Sequence, residues 1–322
     1  MVPEYGVAAR LARRRSVLRS RTQLPGGRMS TLDRAMRLLI TGAAGMLGHD
    51  VRRAADAAGH EPIALPRAQL DIADAGALRE AVAAACPEVV INCAAETDVD
   101  GAEEHPLAAL AVNGVGAGNV AAAAARAGAW TIHVSSDYVF DGTGTRPYVE
   151  SDPVGPRSAY GRSKLEGEVA VAQAAPGRHT IVRSAWLFGT GGRCFPETIL
   201  RLAAQRDQLS VVDDQVGCPT FTPHLAGALV ELAGRGARAP VGLLHVAGAG
   251  QCSWFEFARE IVSGACAASE VVPVSTAQFP RPAPRPAYSV LRSERGADAP
   301  VLPDWGRGLA EYLAQTSKAA AA

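Results

Sequence analysis

From residue 37 onward, short apolar runs alternate with longer stretches whose apolar positions recur at helical spacing. Arg37-Leu-Leu-Ile-Thr41 predicts a buried strand, and after a glycine-rich turn residues 46–58 predict a helix. Strands over 62–65, 88–92, 130–135 and 180–183 then alternate with helices over 74–85, 106–127 and 160–174. Strands this short between helices this long predict an α/β protein with a parallel sheet covered on both faces and joined by right-handed crossovers. Past residue 187 the regularity weakens to helices at 195–206, 224–233, 254–262 and 305–313 and strands at 209–212 and 242–246. Prolines at 280, 282, 284 and 286 exclude regular helix or inner strand there. The expected fold class is therefore α/β, a Rossmann-type doubly wound parallel sheet with a smaller C-terminal substrate-binding lobe. Residues 36–187 would form the dinucleotide-binding domain. Residues 188–322 would form mainly the substrate-binding lobe, with segments returning to the first sheet.

Composition changes the picture in two places. The net charge is zero, but residues 1–35 hold eight arginines against Glu4 and Asp33. The remainder is thus acidic by about six charges, which gives no electrostatic case for nucleic-acid binding. The basic lead reads as a disordered extension or a mis-assigned start, with Met29 and Met36 downstream, or as a tail or targeting peptide; it carries no catalytic role. It lacks the apolar core of a secretory signal. The alanine-rich stretch 120–130 contains Arg126 and is too short to span a bilayer, so no membrane role is expected. Six scattered cysteines without a CxxC pair, and seven dispersed histidines, suggest free thiols in a reducing cytoplasmic compartment and no zinc site.

Thr41-Gly-Ala-Ala-Gly-Met-Leu-Gly48 sets glycines 42, 45 and 48 between the first strand and its helix. Bare backbone can turn sharply there and bring amides, including those of Met46 and Leu47, close to a pyrophosphate at a helix start. Opening the first βα unit is what makes this triplet informative. After the second strand, Arg67 either meets the 2′-phosphate of NADPH or is a solvated surface residue. Asp71, beside Ile72, either lies near the adenine or caps the following helix. The preference leans to NADPH, with NADH accepted. Ala94 and Ala95 end the third strand with side chains small enough for close cofactor approach. Asn113, polar inside an alanine-rich helix, needs a hydrogen-bond partner: backbone or water near the site, unless it lies at the surface.

Tyr160-Gly-Arg-Ser-Lys164 lies one βα unit after Ser135-Ser136-Asp137. Four residues apart on a helix, Tyr160 and Lys164 share a face. The Lys164 ammonium would favour phenolate and draw Tyr160 below its free value of about 10. Tyr160 could then protonate a developing alkoxide while Ser136 bonds the carbonyl oxygen. Asp137 either orders this loop or simply forms a turn.

Together with Asn92-Cys-Ala-Ala-Glu-Thr-Asp-Val-Asp100, Ser135-Ser-Asp-Tyr-Val-Phe140, Arg183-Ser-Ala-Trp-Leu-Phe188, Asp214-Gln-Val-Gly-Cys-Pro-Thr220, Arg281-Pro-Ala-Pro-Arg-Pro286 and Leu302-Pro-Asp-Trp305, these motifs resemble the extended short-chain dehydrogenase/reductases. Within them the sequence resembles the dTDP-4-dehydrorhamnose reductase family, from residue 36 to 313. The resemblance implies NAD(P)H-dependent reduction of the C4 ketone of a dTDP-deoxysugar, with Ser136, Tyr160 and Lys164 as the catalytic set. It implies that Thr97 and Val99 lie in a cofactor- or substrate-side loop. It implies substrate contacts at Gln215 and Thr220, a diphosphate contact at Arg285, and Trp186 against the sugar unless that ring is ordinary core. Serine replaces the family's common threonine at 136 and keeps the hydroxyl. Cys194-Phe195 replaces an Asn-Phe pair, which removes an amide from that loop. Some relatives hold Mg²⁺ at a homodimer interface, but no residues here are placed as its ligands. Rival readings are a 4-ketoreductase of another dTDP-deoxysugar, a nucleotide-sugar epimerase or dehydratase, and a non-catalytic regulatory subunit of methionine adenosyltransferase type.

Overall fold

Strand β1 (Arg37–Thr41) opens a computed structural model that describes residues 34–321. The basic lead over 1–33, Met29 included, lies outside the described residues. Strands β2 (Glu61–Leu65), β3 (Val89–Asn92), β4 (Trp130–Ser136) and β5 (His179–Ser184) follow at the predicted positions, within a residue or two at their ends. After them come β6 (Leu187–Phe188), β7 (Gln208–Val212), β8 (Val216–Gly217), β9 (Thr220–Phe221), β10 (Gly242–His245), β11 (Cys252–Ser253) and β12 (Glu270–Val274). Six of these form one sheet in the order β10-β5-β4-β3-β1-β2, with every pair parallel. Apolar side chains face both ways from its middle strands, Leu38 and Ile40 into one cluster and Leu39 into another. That is why these strands read as continuous apolar runs. The chain leaves β1 toward β2 on one side and returns as β3 on the other. The crevice at the strands' carboxyl ends therefore opens beside β1.

The helices are α1 (Met46–Ala57), α2 (Ala75–Ala85), α3 (Gly101–Glu104), α4 (Pro106–Leu110), α5 (Ala117–Arg126), α6 (Ala159–Ala174), α7 (Phe195–Ala203), α8 (Thr222–Arg235), α9 (Trp254–Gly264) and α10 (Trp305–Ala321). Asp74, not Asp71, caps α2, its carboxylate accepting from Gly76 N at 2.8 Å and Ala77 N at 3.0 Å. The single helix expected over 106–127 is divided by a π-helical turn at Ala111–Gly116. Close packing accompanies that widening: a Cβ on Gly167 of α6 would lie 2.1 Å from the Asn113 carbonyl oxygen. Taken whole, Pro106–Arg126 is long and apolar enough to cross a membrane, which the shorter stretch read from sequence was not. Half of that window is buried within the fold, as in a core helix.

Two late segments return to the main sheet: β10 extends its edge beside β5, and α8 packs its Leu225, Leu229 and Leu232 into the core that holds α1. Other late segments build a separate apolar cluster around Phe188, Phe221, Phe257 and Tyr312. Strand β12 has no counterpart in the sequence reading; it pairs parallel with β7, and a proline and half-exposed valines obscured it.

Candidate active site

The glycine turn is shaped by contacts that allow no side chain. Gly42 has φ +67°, and a Cβ there would lie 2.6 Å from the Ala94 backbone at the end of β3. A Cβ on Gly48 would lie 2.4 Å from the Gly42 carbonyl oxygen. Gly45 is the N-cap of α1 and supplies no capping side chain, so the first-turn amides stay open to an anion. Beneath the turn, Thr41 Oγ1 donates to Asn92 Oδ1 at 2.6 Å, and Asn92 Nδ2 lies 3.1 Å from His133 Nδ1. Asn92 Oδ1 also accepts from Ala94 N at 3.2 Å, which ties the three strand ends together. A polar-and-apolar cradle of this kind fits a dinucleotide pyrophosphate.

Asn113 secures the next loop. Its Oδ1 accepts from Glu96 N at 2.8 Å, and its Nδ2 donates to Glu96 O and Ser163 Oγ, each at 3.0 Å. It is buried behind the site, holding the Ala95–Thr97 loop to α6.

Ser136 comes from β4, and Tyr160 and Lys164 come from α6. Ser158 caps α6 by accepting from Gly161 N at 3.0 Å, which sets Tyr160 in the first turn. Farther along α6, Glu168 takes two bonds from Arg183 of β5, at 2.8 and 2.7 Å, and one from Ser135 Oγ at 2.6 Å. That buried ion pair locks the helix to β5, and the Ser135 bond ties it to β4, the strand carrying Ser136. Lys164 is 2% exposed, and its ammonium donates to the Val134 carbonyl at 2.8 Å. Burial lowers Lys164 to about 8, and the Glu168 carboxylate opposes that fall.

The expected lowering of Tyr160 does not occur in the unliganded protein. Burial pushes its phenol up to about 12, with the Ser136 hydroxyl pulling it down and the Asp137 carboxylate adding to the rise. Lys164 is directed at a backbone carbonyl and desolvation dominates the phenol, so Tyr160 stays protonated at neutral pH. Ser136 Oγ accepts from Tyr138 N at 3.2 Å and donates to Asp137 Oδ1 at 2.9 Å.

Asp137 is 2% exposed, and burial raises its carboxyl to about 6 against the hydrogen bonds from Ser289 and Ser136. An unfolded aspartate titrates near about 3.9. The neutral buried form thus contributes stability that is fully present below about pH 4 and lost as pH rises through about 6. Asp137→Asn, always neutral, should gain stability relative to wild type across that window in urea unfolding. A difference that stays constant from about pH 4 to about 6 would mean that the carboxyl is already ionised throughout.

These groups line one cleft of about 740 Å³ at the carboxyl ends of the strands. Of the positions read from sequence, it takes in Gly42, Gly45, Met46, Leu47, Gly48, Arg67, Asp71 and Ile72 along one stretch. Ala94, Ala95, Thr97, Val99, Ser136, Asp137, Tyr160, Lys164 and Trp186 line the rest. Arg67 lies 3.8 Å from Asp71 with its side chain 75% exposed.

Four predicted positions are not on this lining. Asn113 acts from behind, as described. Thr220 is fully buried and satisfied by Cys218 O and Gly248 N. Gln215 donates to Thr276 Oγ1 at 2.9 Å. Arg285 pairs with Asp100 at 2.9 Å, and Arg281 reaches the same carboxylate at 3.8 Å. That carboxylate also accepts from Ala283 N at 3.1 Å, so the loop after β3 is clasped to the proline-rich segment.

Cleft residues not singled out from sequence include Ser184, Arg193 and Trp254. Trp254 is far from the other motifs in the chain, and nothing local marks it. Ser184 directly follows Arg183 in a motif already noted; among the described residues its buried hydroxyl has no hydrogen-bond partner. Among the described residues, no three His, Cys, Asp or Glu side chains converge to hold a metal ion.

A parallel sheet with this turn at its crevice, and Ser136, Tyr160 and Lys164 in one cleft, defines the architecture of an extended short-chain dehydrogenase/reductase. The family model described as RmlD substrate binding domain matches residues 36–318, and the chain belongs to that family. It is 46% identical to the dTDP-4-dehydrorhamnose reductase of Mycolicibacterium smegmatis, over 87% of this chain and 86% of that protein. It is 42% identical to a probable dTDP-4,6-dihydroxy-2-methyloxan-3-one 4-ketoreductase of Streptomyces antibioticus, over 86% of this chain and 94% of that one. The crystal structure of dTDP-4-dehydrorhamnose reductase from Bacillus anthracis, in complex with NADP, superposes with a TM-score of 0.83 at 35% identity. That match covers 88% of this chain and all of the other.

Proposed function

We propose that this protein reduces the C4 ketone of dTDP-4-dehydro-β-L-rhamnose to the alcohol of dTDP-β-L-rhamnose. The observation that carries the reading is the convergence of Ser136, Tyr160 and Lys164 beside the glycine cradle, in a chain 46% identical to a reductase of that name. NADPH, when bound, supplies the hydride. Gly42, Gly45 and the α1 amides hold its pyrophosphate, and exposed Arg67 meets the 2′-phosphate, favouring NADPH over NADH. Ser136 turns its hydroxyl hydrogen from Asp137 to the ketone oxygen and so positions it, and Tyr160 gives that oxygen the phenolic proton. Lys164, with one N–H on Val134, keeps two donors for the ribose hydroxyls. Asp137 orders the Ser136 hydroxyl. The apolar cluster around Phe188 and Phe257 belongs to a substrate-binding lobe beyond residue 188. No step is assigned to Mg²⁺. A cytoplasmic location suits the free thiols of Cys93, Cys194, Cys218, Cys252 and Cys266.

The second reading, a 4-ketoreductase of another dTDP-deoxysugar, is favoured by the Streptomyces antibioticus relative. Incubation of the purified chain with NADPH and dTDP-4-dehydro-β-L-rhamnose separates the two. Oxidation of NADPH with dTDP-L-rhamnose as product, identified by NMR at C4, supports the first reading. No oxidation with that sugar but turnover of a different dTDP-4-ketosugar would transfer the assignment to the second.

A further inference from the structure

Three segments far apart in the chain meet at one aromatic wall of the cleft. Trp186 immediately precedes β6, Gly217 ends β8, and Trp254 follows β11, which pairs antiparallel with β8. The Trp186 and Trp254 rings stack with centroids 3.5 Å apart and planes 3° from parallel. Both line the cleft that holds Tyr160. Phe195 packs on Trp254 from another side, at 4.5 Å between centroids.

This pose is not a relaxed one for Trp186. Its φ is +47°, in the left-handed region that a bulky residue rarely enters. Its ring also occupies the space of a missing side chain, since a Cβ on Gly217 would lie 2.3 Å from Trp186 Cε2. Such a conformation persists where its surroundings over-determine it, and it concentrates where a ligand is met. Trp254 is itself fixed at the start of α9 by a reciprocal cap. Ser253 Oγ accepts from Glu256 N at 3.1 Å, and Glu256 Oε2 accepts from Ser253 N at 2.8 Å.

We infer that Trp254 is a positioning residue for the sugar of a nucleoside-diphosphate sugar: by stacking on Trp186 it fixes that indole as one wall of the sugar site, in the room Gly217 leaves. The identity of the ligand rests on the reductase reading; the mechanical role of the stack does not. An indole held on one face and lodged against a glycine cannot swing, so the sugar meets one surface instead of several. Loss of the stack frees Trp186 and weakens sugar binding more than it slows the chemical step.

The test combines steady-state kinetics with near-ultraviolet circular dichroism, in which two stacked indoles couple and give a signed pair of bands. Among the described residues this is the one stacked tryptophan pair. Trp254→Ala should raise KM for the dTDP-4-ketosugar by about tenfold. Its kcat should stay within about threefold and its NADPH affinity within about twofold. Trp254→Phe should restore most of KM while lacking the coupled bands. Gly217→Ala keeps both indoles yet should lose the coupled bands and show the same rise in KM. The inference is overturned if Gly217→Ala loses the bands with KM unchanged, or if the Trp254 variants lose kcat and NADPH affinity as fully as KM. Should the wild type turn over no 4-ketosugar, the reductase reading fails by itself. Coupled bands that then shift on binding a dTDP-sugar, measured by calorimetry, would sustain the stack's role, and bands that ignore bound sugar would overturn it.

Discussion

Tyr160→Phe should lower kcat for ketone reduction by about 10²- to 10⁴-fold, the range expected when a positioned proton donor is removed. NADPH affinity should change little, because the proposed cradle of Gly42, Gly45 and Gly48 runs from the turn after β1 into α1, away from α6. KM should also move little, since the proton is transferred only in the transition state. The geometry gives this variant a second readout. Burial holds the Tyr160 phenol near 12. Ultraviolet titration of the unliganded wild type, with Tyr160→Phe subtracted, should therefore show no phenolate from this residue at neutral pH. A phenolate already present near pH 7 would mean that the Lys164 charge dominates after all. A variant retaining more than about a tenth of wild-type kcat would remove Tyr160 from the role of proton donor.

Gly48→Ala should cost about a hundredfold in NADPH affinity, equivalent to roughly 2.7 kcal/mol. The added Cβ would lie 2.4 Å from the Gly42 carbonyl oxygen and 2.9 Å from Ala43 Cα. Both are backbone atoms, so the turn itself must open, and opening it displaces the amides proposed to meet the pyrophosphate. Alanine is otherwise a better helix former than glycine, so any loss runs against intrinsic propensity. Gly227→Ala is the control: it lies within α8, where a Cβ would meet nothing within 4 Å. That change should leave NADPH affinity intact. Fluorescence titration with NADPH measures both, and equal affinity for the Gly48→Ala variant and wild type would refute the cradle.

Residues whose partners are set by the fold show where sequence reading stops. Asp74 was legible as the start of α2, but the choice between Asp71 and Asp74 as cap depended on which carboxylate the turn brought to Gly76 N. Arg285 is a diphosphate contact by family resemblance alone, and the fold gives it Asp100 as a partner far away in the chain. Thr220 sits in the most recognisable late motif, and the structure uses its hydroxyl to hold Gly248 N.

Local sequence is enough for the alternation of strands and helices, the glycine turn after β1, and the helical spacing of Tyr160 and Lys164. Each depends on residues within a few positions of one another, where backbone sterics and side-chain period act directly. Assembly of the whole fold set which late strand joins the sheet beside β5, the ion pair of Glu168 with Arg183, and the meeting of Trp186 with Trp254. It also decided the Tyr160 ionisation, because burial acts through every atom packed around the phenol and the Lys164 ammonium is turned to a backbone carbonyl. Desolvation and long-range packing are properties of the assembled sheet and helices, and no local window of residues encodes them.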